Sequence, residues 1–156
     1  MMRFSRLADY AVVVMTQLAA DPGPFHNAVD TAAATGLPVP TVSKIMATLA
    51  RHGLLVSQRG AKGGYHLPRP AGAISVAEIV SALDGPIAIT HCVKVGPSSC
   101  EVEQACPSRF SLGRINTAVR RALEDISLAQ IAAPAAVIAR INAGMALPIP
   151  AARSAP

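Results

Sequence analysis

Tryptophan is absent from this 156-residue chain, and aromatic residues of all kinds make up only 3% of it. A core without large rings must be filled by Ala, Val, Ile and Leu, which supply much of the 51% hydrophobic content. That pattern points to finely packed helices rather than an aromatic-rich β-sandwich. No apolar run is long enough to span a bilayer. The nearest candidate, "YAVVVMTQLAA", contains Gln17 and is bounded by Asp9 and Asp21. Its neighbourhood repeats Leu7, Ala11, Val14 and Leu18 every three to four positions, as one face of a buried helix does. The chain therefore reads as cytoplasmic, with no membrane partner. Nor does it carry a nucleotide loop, a nucleophile–base pair or a metalloprotease motif, so neither an enzyme nor a small-molecule substrate is expected.

Acidic residues are the next shortage. The formal charge is +5, and from Thr31 to Ala77 there is no Asp or Glu at all. Lys44, Arg51, Arg59, Lys62 and Arg69 all fall inside that window. Around them the pattern is helical, then extended. Asn27 to Thr35 reads as a short Ala-rich helix stopped by Gly36. In "LPVPTVSKIMATLARHG" the residues Val42, Ile45, Met46 and Leu49 form one apolar stripe, with Gly53 at the C-cap. "LLVSQ", "RGAKGG" and "YHL" read as strand, turn and returning strand. A helix-turn-helix followed by a hairpin is a winged helix. Thr41, Lys44, Thr48, Arg51 and His52 share the face opposite the stripe, the position of a recognition helix entering a major groove. Arg59 and Lys62, among the glycines of the hairpin tip, are placed for phosphates or a minor groove, whereas Tyr65 reads as packing at the wing's base.

Beyond the wing, "ISVAEIVSALDGP" is a punctuated helix, with a Ser75/Glu78 capping box and a Gly85-Pro86 stop. A last long helix is expected from about Ser108 to Ile131, its seam formed by Leu112, Ile115, Val119, Leu123 and Ile126. The fold class is thus mainly α with a small β-hairpin wing, and four parts follow. Residues 1–86 form the winged helix, 87–107 a cysteine-containing loop and 108–133 a dimerisation helix. Residues 134–156 form an Ala/Pro-rich tail, expected to be partly disordered.

Cysteine is scarce too, and all three lie in "HCVKVGPSSCEVEQACPSR" as Cys92, Cys100 and Cys106. In a reducing compartment such a cluster holds a metal or senses redox state more readily than it staples a fold. The spacing C-x7-C-x5-C contains none of the C-x2-C knuckles of structural zinc sites. Wider gaps in a Gly/Pro/Ser-containing loop can wrap a larger object such as an iron–sulfur cluster. Three thiolates leave one position for another ligand. A metal-free thiol switch of the same fold is the alternative, and a small iron–sulfur electron carrier a more distant one.

Together these pieces resemble the Rrf-type winged-helix transcriptional regulators, the family of the Isc regulator and the nitric-oxide-sensing repressor. The carrying residues are "RFSRLADYAVV", "GLPVPTVSKIMATLARHGLLVSQRGAKGGYHL", "ISVAEIVSALDGPI" and the three cysteines ahead of a long helix, covering about Met2 to Ile131. "GLPVPTVSKIM", "DGPIAITHC" and "RINTAVRRALEDISLAQI" look most like regulators of the SUF iron–sulfur assembly system. The resemblance implies a homodimer joined through the long helix, and a repressor of cluster-assembly genes bound to a double-stranded operator. The DNA contacts expected from the residues themselves are Thr41, Ser43, Lys44, Thr48 and Arg51 on the helix and Arg59 and Lys62 on the wing. The resemblance also implies an iron–sulfur cluster, 2Fe-2S rather than 4Fe-4S, on Cys92, Cys100 and Cys106. Asp9 matches an aspartate that reaches the partner's cluster in some nitric-oxide-sensing members, with His91 and Glu101 as local rivals for the fourth ligand. Two departures stand out. Arg109 occupies the place of a histidine ligand of the Isc-type members, and Thr41 and Ser43 replace a Tyr and a Glu on their recognition helix.

Overall fold

A computed structural model describes residues 4–20, 25–60, 63–93, 100, 102 and 105–133. Helix α1 (Arg6–Ala20) starts where the Ser5 hydroxyl accepts from the Ala8 amide at 3.1 Å. Its buried face is Ala8, Ala11, Val14, Met15 and Leu18; of the expected stripe Ala11, Val14 and Leu18 are buried, Leu7 is only partly so, and Ala8 and Met15 join them. Asn27 caps α2 (Ala28–Thr35) by accepting from the Asp30 amide, and Gly36 ends it in the left-handed region at φ 70°. Helix α3 (Val39–Arg51) opens behind Pro38 and buries Val42, Ile45, Met46 and Leu49 completely. Its end is a Schellman motif. The Gly53 amide donates to Ala50 O and the Leu54 amide to Leu49 O, both at 3.0 Å, with Gly53 at φ 72°.

That turn drives Leu54 and Leu55 into the core, so the first wing strand is shorter than the expected "LLVSQ". It comprises β1 (Val56–Gln58), paired antiparallel with β2 (Gly64–His66) in the register Val56 to His66, Ser57 to Tyr65 and Gln58 to Gly64. A third segment joins them. The His26 amide donates to Tyr65 O and the Tyr65 amide to His26 O, each at 2.8 Å. Phe25 meets the His66 ring edge-on at 5.3 Å. Tyr65 packs on the core at the base of the wing, as expected.

Helix α4 (Val76–Asp84) has both halves of its Ser75/Glu78 capping box. It packs on both α1 and α3 and buries Val76, Ile79 and Val80. Each such aliphatic side chain removed from water contributes about 1.5–3 kcal/mol before chain entropy is set against it. One core cluster unites α1, α3, α4 and the turn after α3, while Ala8, Val76 and Val80 form a second.

The last helix differs from expectation. Instead of one element to Ile131 there are α5 (Arg109–Glu124) and a short α6 (Leu128–Ile131). The break has a tertiary cause. The Val76 amide donates to Ile126 O at 2.9 Å and the Leu128 amide to Ile74 O at 2.7 Å, a miniature antiparallel bridge. Ser127 then starts α6 with its own capping box to Gln130, and Leu128 becomes fully buried. No described helix is long and apolar enough to cross a membrane.

Candidate nucleic-acid interface and cysteine site

Burying Val42, Ile45, Met46 and Leu49 turns the other face of α3 outward. Ser43, Lys44 and Arg51 are exposed there, and Thr41 and Thr48 are half-buried at its margins. The ridge is braced from within. Arg51 Nη2 donates to Thr48 Oγ1 at 2.9 Å, and His52 Nδ1 lies 3.0 Å from Thr48 O. Ala47, which charge patterning does not flag, is exposed in the middle of the same face. The signal for it was available in the helical period, since position 47 falls opposite the stripe.

Arg59 is exposed just past β1, where Gly60 adopts φ 125° and its carbonyl accepts from the Gly63 amide at 2.9 Å. Lys62, also named as a DNA contact, lies outside the described residues. The window's remaining cation has another job. The Arg69 guanidinium bonds Glu78 and the Ala73 carbonyl, tying the wing's exit to the start of α4. Partial burial pushes the Glu78 carboxyl up. The Ser75 amide and the Arg69 guanidinium outweigh that and hold it below the ordinary carboxylate range.

Cys92, Cys100 and Cys106 are half-buried and not joined in a disulfide. Cys92 sits in a short 3-10 turn, His91–Val93, with its Sγ 3.2 Å from Thr90 Oγ1. That turn packs on α5. Cys106 stands just before α5, its carbonyl accepting from the Arg109 amide at 3.4 Å. The thiol chemistry fits a cluster, but among the described residues no three His, Cys, Asp or Glu side chains gather as a metal site. Asp9 is exposed in the first turn of α1. Glu101 and the side chain of His91 lie outside what is described.

Helix α5 has two working faces and no fully buried residue. Leu123 packs inward on Ala8, Val76 and Val80, so part of the expected seam is used within the chain. Val119 and Leu123 also line a cavity of about 250 Å³ with Phe4 and Ile87. On the outward face Phe110, 77% exposed, stands along an open groove of about 900 Å³, while Ile115, 50% exposed, lies outside that groove beside Ser111, Arg114 and Ala118. That groove is lined by Cys106, Phe110, Gly113, Arg114, Thr117 and Arg121 among others.

Comparison with known proteins agrees with this arrangement. The family model Rrf2, described as an iron-dependent transcriptional regulator, matches residues 4–134. Rv1287 of Mycobacterium tuberculosis, classed among HTH-type transcriptional regulators, is 34% identical over 135 residues, covering 84% of this chain and 81% of its own. Among solved structures, the global cysteine regulator CymR of B. subtilis superposes with a TM-score of 0.65 at 28% identity, covering 85% of this chain and 97% of its own. IscR of T. potens does so with a TM-score of 0.61 at 26% identity, covering 94% and 93%.

Proposed function

We propose, from the premise that this chain belongs to the Rrf2 family of transcriptional regulators, that it is a homodimeric, iron–sulfur-dependent repressor of SUF-type cluster-assembly genes. The observation that carries the DNA-binding part is the outward face of α3, basic and polar over a fully buried stripe. Thr41, Ser43, Lys44, Thr48 and Arg51 would meet base edges and phosphates in the major groove, and Ala47 offers a methyl suited to thymine. Arg59 and Lys62 would take the backbone or minor groove beside it. Family relatives are regulators rather than enzymes, which agrees with a chain whose exposed chemistry is basic and polar.

Dimerisation through α5 is supported by its exposed Phe110 and Ile115. Cys92, Cys100 and Cys106 would hold the cluster, with Asp9 of the partner subunit as the fourth ligand we favour over His91 and Glu101. When bound, a cluster would supply a labile, oxidant-sensitive tie between the cysteine loop and α5. Anaerobic purification with visible absorption, iron and sulfide analysis, and binding to promoter duplexes from cluster-assembly genes tests this. Coloured, iron-containing protein whose affinity for those duplexes changes on cluster removal is expected. A colourless, iron-free protein after anaerobic reconstitution, with operator affinity intact, would overturn the cluster.

One observation favours a second reading. Because the described cysteines are not gathered as a metal site, a metal-free thiol switch on the same scaffold is the alternative, and the similarity to a cysteine regulator suits it. Cys100→Ala separates the two: the first reading loses iron, the second loses only its response to oxidant.

A further inference from the structure

Asn116 is the polar exception on the inward side of α5, half-buried in a row with Leu112, Val119 and Leu123. An amide in that position is destabilising unless both of its ends are bonded. Both are, and to main chain. Asn116 Oδ1 accepts from the Ile89 amide at 3.0 Å, and Nδ2 donates to the Ile87 carbonyl at 3.2 Å. The pairing fixes the amide's orientation, because the flipped group would set donor against donor and acceptor against acceptor. The side chain thus acts as a one-residue strand partner for segment 87–89. The chain then runs directly into Thr90 and the turn that carries Cys92, closed by the Val93 amide on Thr90 O at 3.3 Å.

Cys106 precedes the same helix that carries Asn116. One rigid element therefore holds Cys106 through its own first turn and Cys92 through the Asn116 amide. We infer that Asn116 is the positioning residue for Cys92, setting where that thiol stands relative to α5 and so coupling chemistry at the thiol to the position of the helix. The inference rests on the reading of Cys92 as part of the sensing site. It does not depend on whether that site holds a cluster or works as bare thiols.

The test uses the full chain, reduced and stripped of metal with a chelator, so that its outcome is independent of iron loading. Asn116→Leu keeps the packing and removes both bonds. Cys92 is half-buried, so the rate of its alkylation by iodoacetamide reports how firmly the turn is held. Removing the two bonds should speed modification of Cys92 roughly tenfold while Cys100 and Cys106 change by less than about twofold. Asn116→Asp, which keeps the acceptor for Ile89 and loses the donor, should fall between. Equal acceleration of all three thiols would reduce Asn116 to a packing role, and an unchanged Cys92 would remove it altogether. Should Asn116→Leu fail to fold, wild-type amide exchange decides. An Ile89 amide protected at least roughly tenfold over its unstructured rate supports the inference, and unprotected exchange overturns it. Iron content after anaerobic reconstitution is read separately, so loss of the cluster reading leaves this result standing.

Discussion

Replacing Gly64 with Ala should loosen the wing without touching the helical core, and the size of the effect follows from three distances. Gly64 lies on β2 with the His26 main chain against it. A methyl group there would stand 2.8 Å from the His26 carbonyl oxygen and 3.0 Å from its carbon. Backbone atoms cannot swing aside as the tip of a side chain can, so the two segments must part. What parts first is the pair of 2.8 Å hydrogen bonds between His26 and Tyr65. At about 0.5–1.5 kcal/mol net for each bond, the loss is about 1–3 kcal/mol, the same range found for overpacking generally. Phe25 against His66 is the remaining contact that resists.

Denaturant melts give the magnitude, and amide exchange gives the place. The His26 and Tyr65 amides should lose protection. The Leu54 amide, bonded to Leu49 O inside the α3 cap, should keep its own. Two further glycines make the reasoning refutable as a rank order. At Gly63 the added methyl would be 2.2 Å from Gln58 O, so Gly63→Ala should be worse. At Gly72 the nearest atom is Ala129 Cβ at 4.0 Å, so Gly72→Ala should be neutral or slightly stabilising. If Gly64→Ala melts within about 0.5 kcal/mol of wild type with both amides protected, the three-segment wing is wrong.

Lys44→Ala should weaken duplex binding across sequences and reduce the slope of log affinity against log salt by about one, with the melting curve unmoved because the side chain is exposed. An unchanged salt slope would take Lys44 off the phosphates. Glu78→Gln keeps a capping-box acceptor but loses the charge facing Arg69. The Glu78 carboxyl is held below its usual value of 4.5, so its stabilisation is complete above that pH and is lost as pH falls through the lower folded-state value. The stability gap between wild type and Glu78→Gln should therefore close on acidification below 4.5; a gap that widened there would reverse the assigned sign. Ile115→Asp places a charge on the exposed outward face of α5. Sedimentation should show a smaller species and weaker binding to a two-half-site duplex, and an unchanged mass would move the dimer interface elsewhere.

The parts legible in the sequence were those with a period or a cap. Val42, Ile45, Met46 and Leu49 announce α3 because helical spacing and full burial coincide, and Ser75 with Glu78 announces α4 because a capping box is local chemistry. The outward face of α3 followed from the same spacing. What escaped was decided by contacts between distant segments. His26 pairs with β2 as a single bridge, too short to carry a strand period. The stretch from Leu123 through Ile126 to Ile131 keeps helical spacing and contains neither Gly nor Pro, so periodicity runs straight through a real break. The local signal was still present, since Ser127 and Gln130 are themselves a capping box. It could be outvoted on paper because helix propensity is a weak prior against two backbone bonds to Ile74 and Val76 that only the folded chain supplies. Asn116 makes the same point in reverse. A lone amide in an apolar row looks like a flaw in a seam until its two partners, Ile87 and Ile89, arrive from another part of the chain. The break at Ile126 ties the C-terminal end of α5 to the winged helix by main-chain hydrogen bonds, and the side chain of Asn116 ties the middle of the helix to segment 87–89. Under the proposed dimer on α5, a shift at the cysteines would reach the recognition helices through these two attachments.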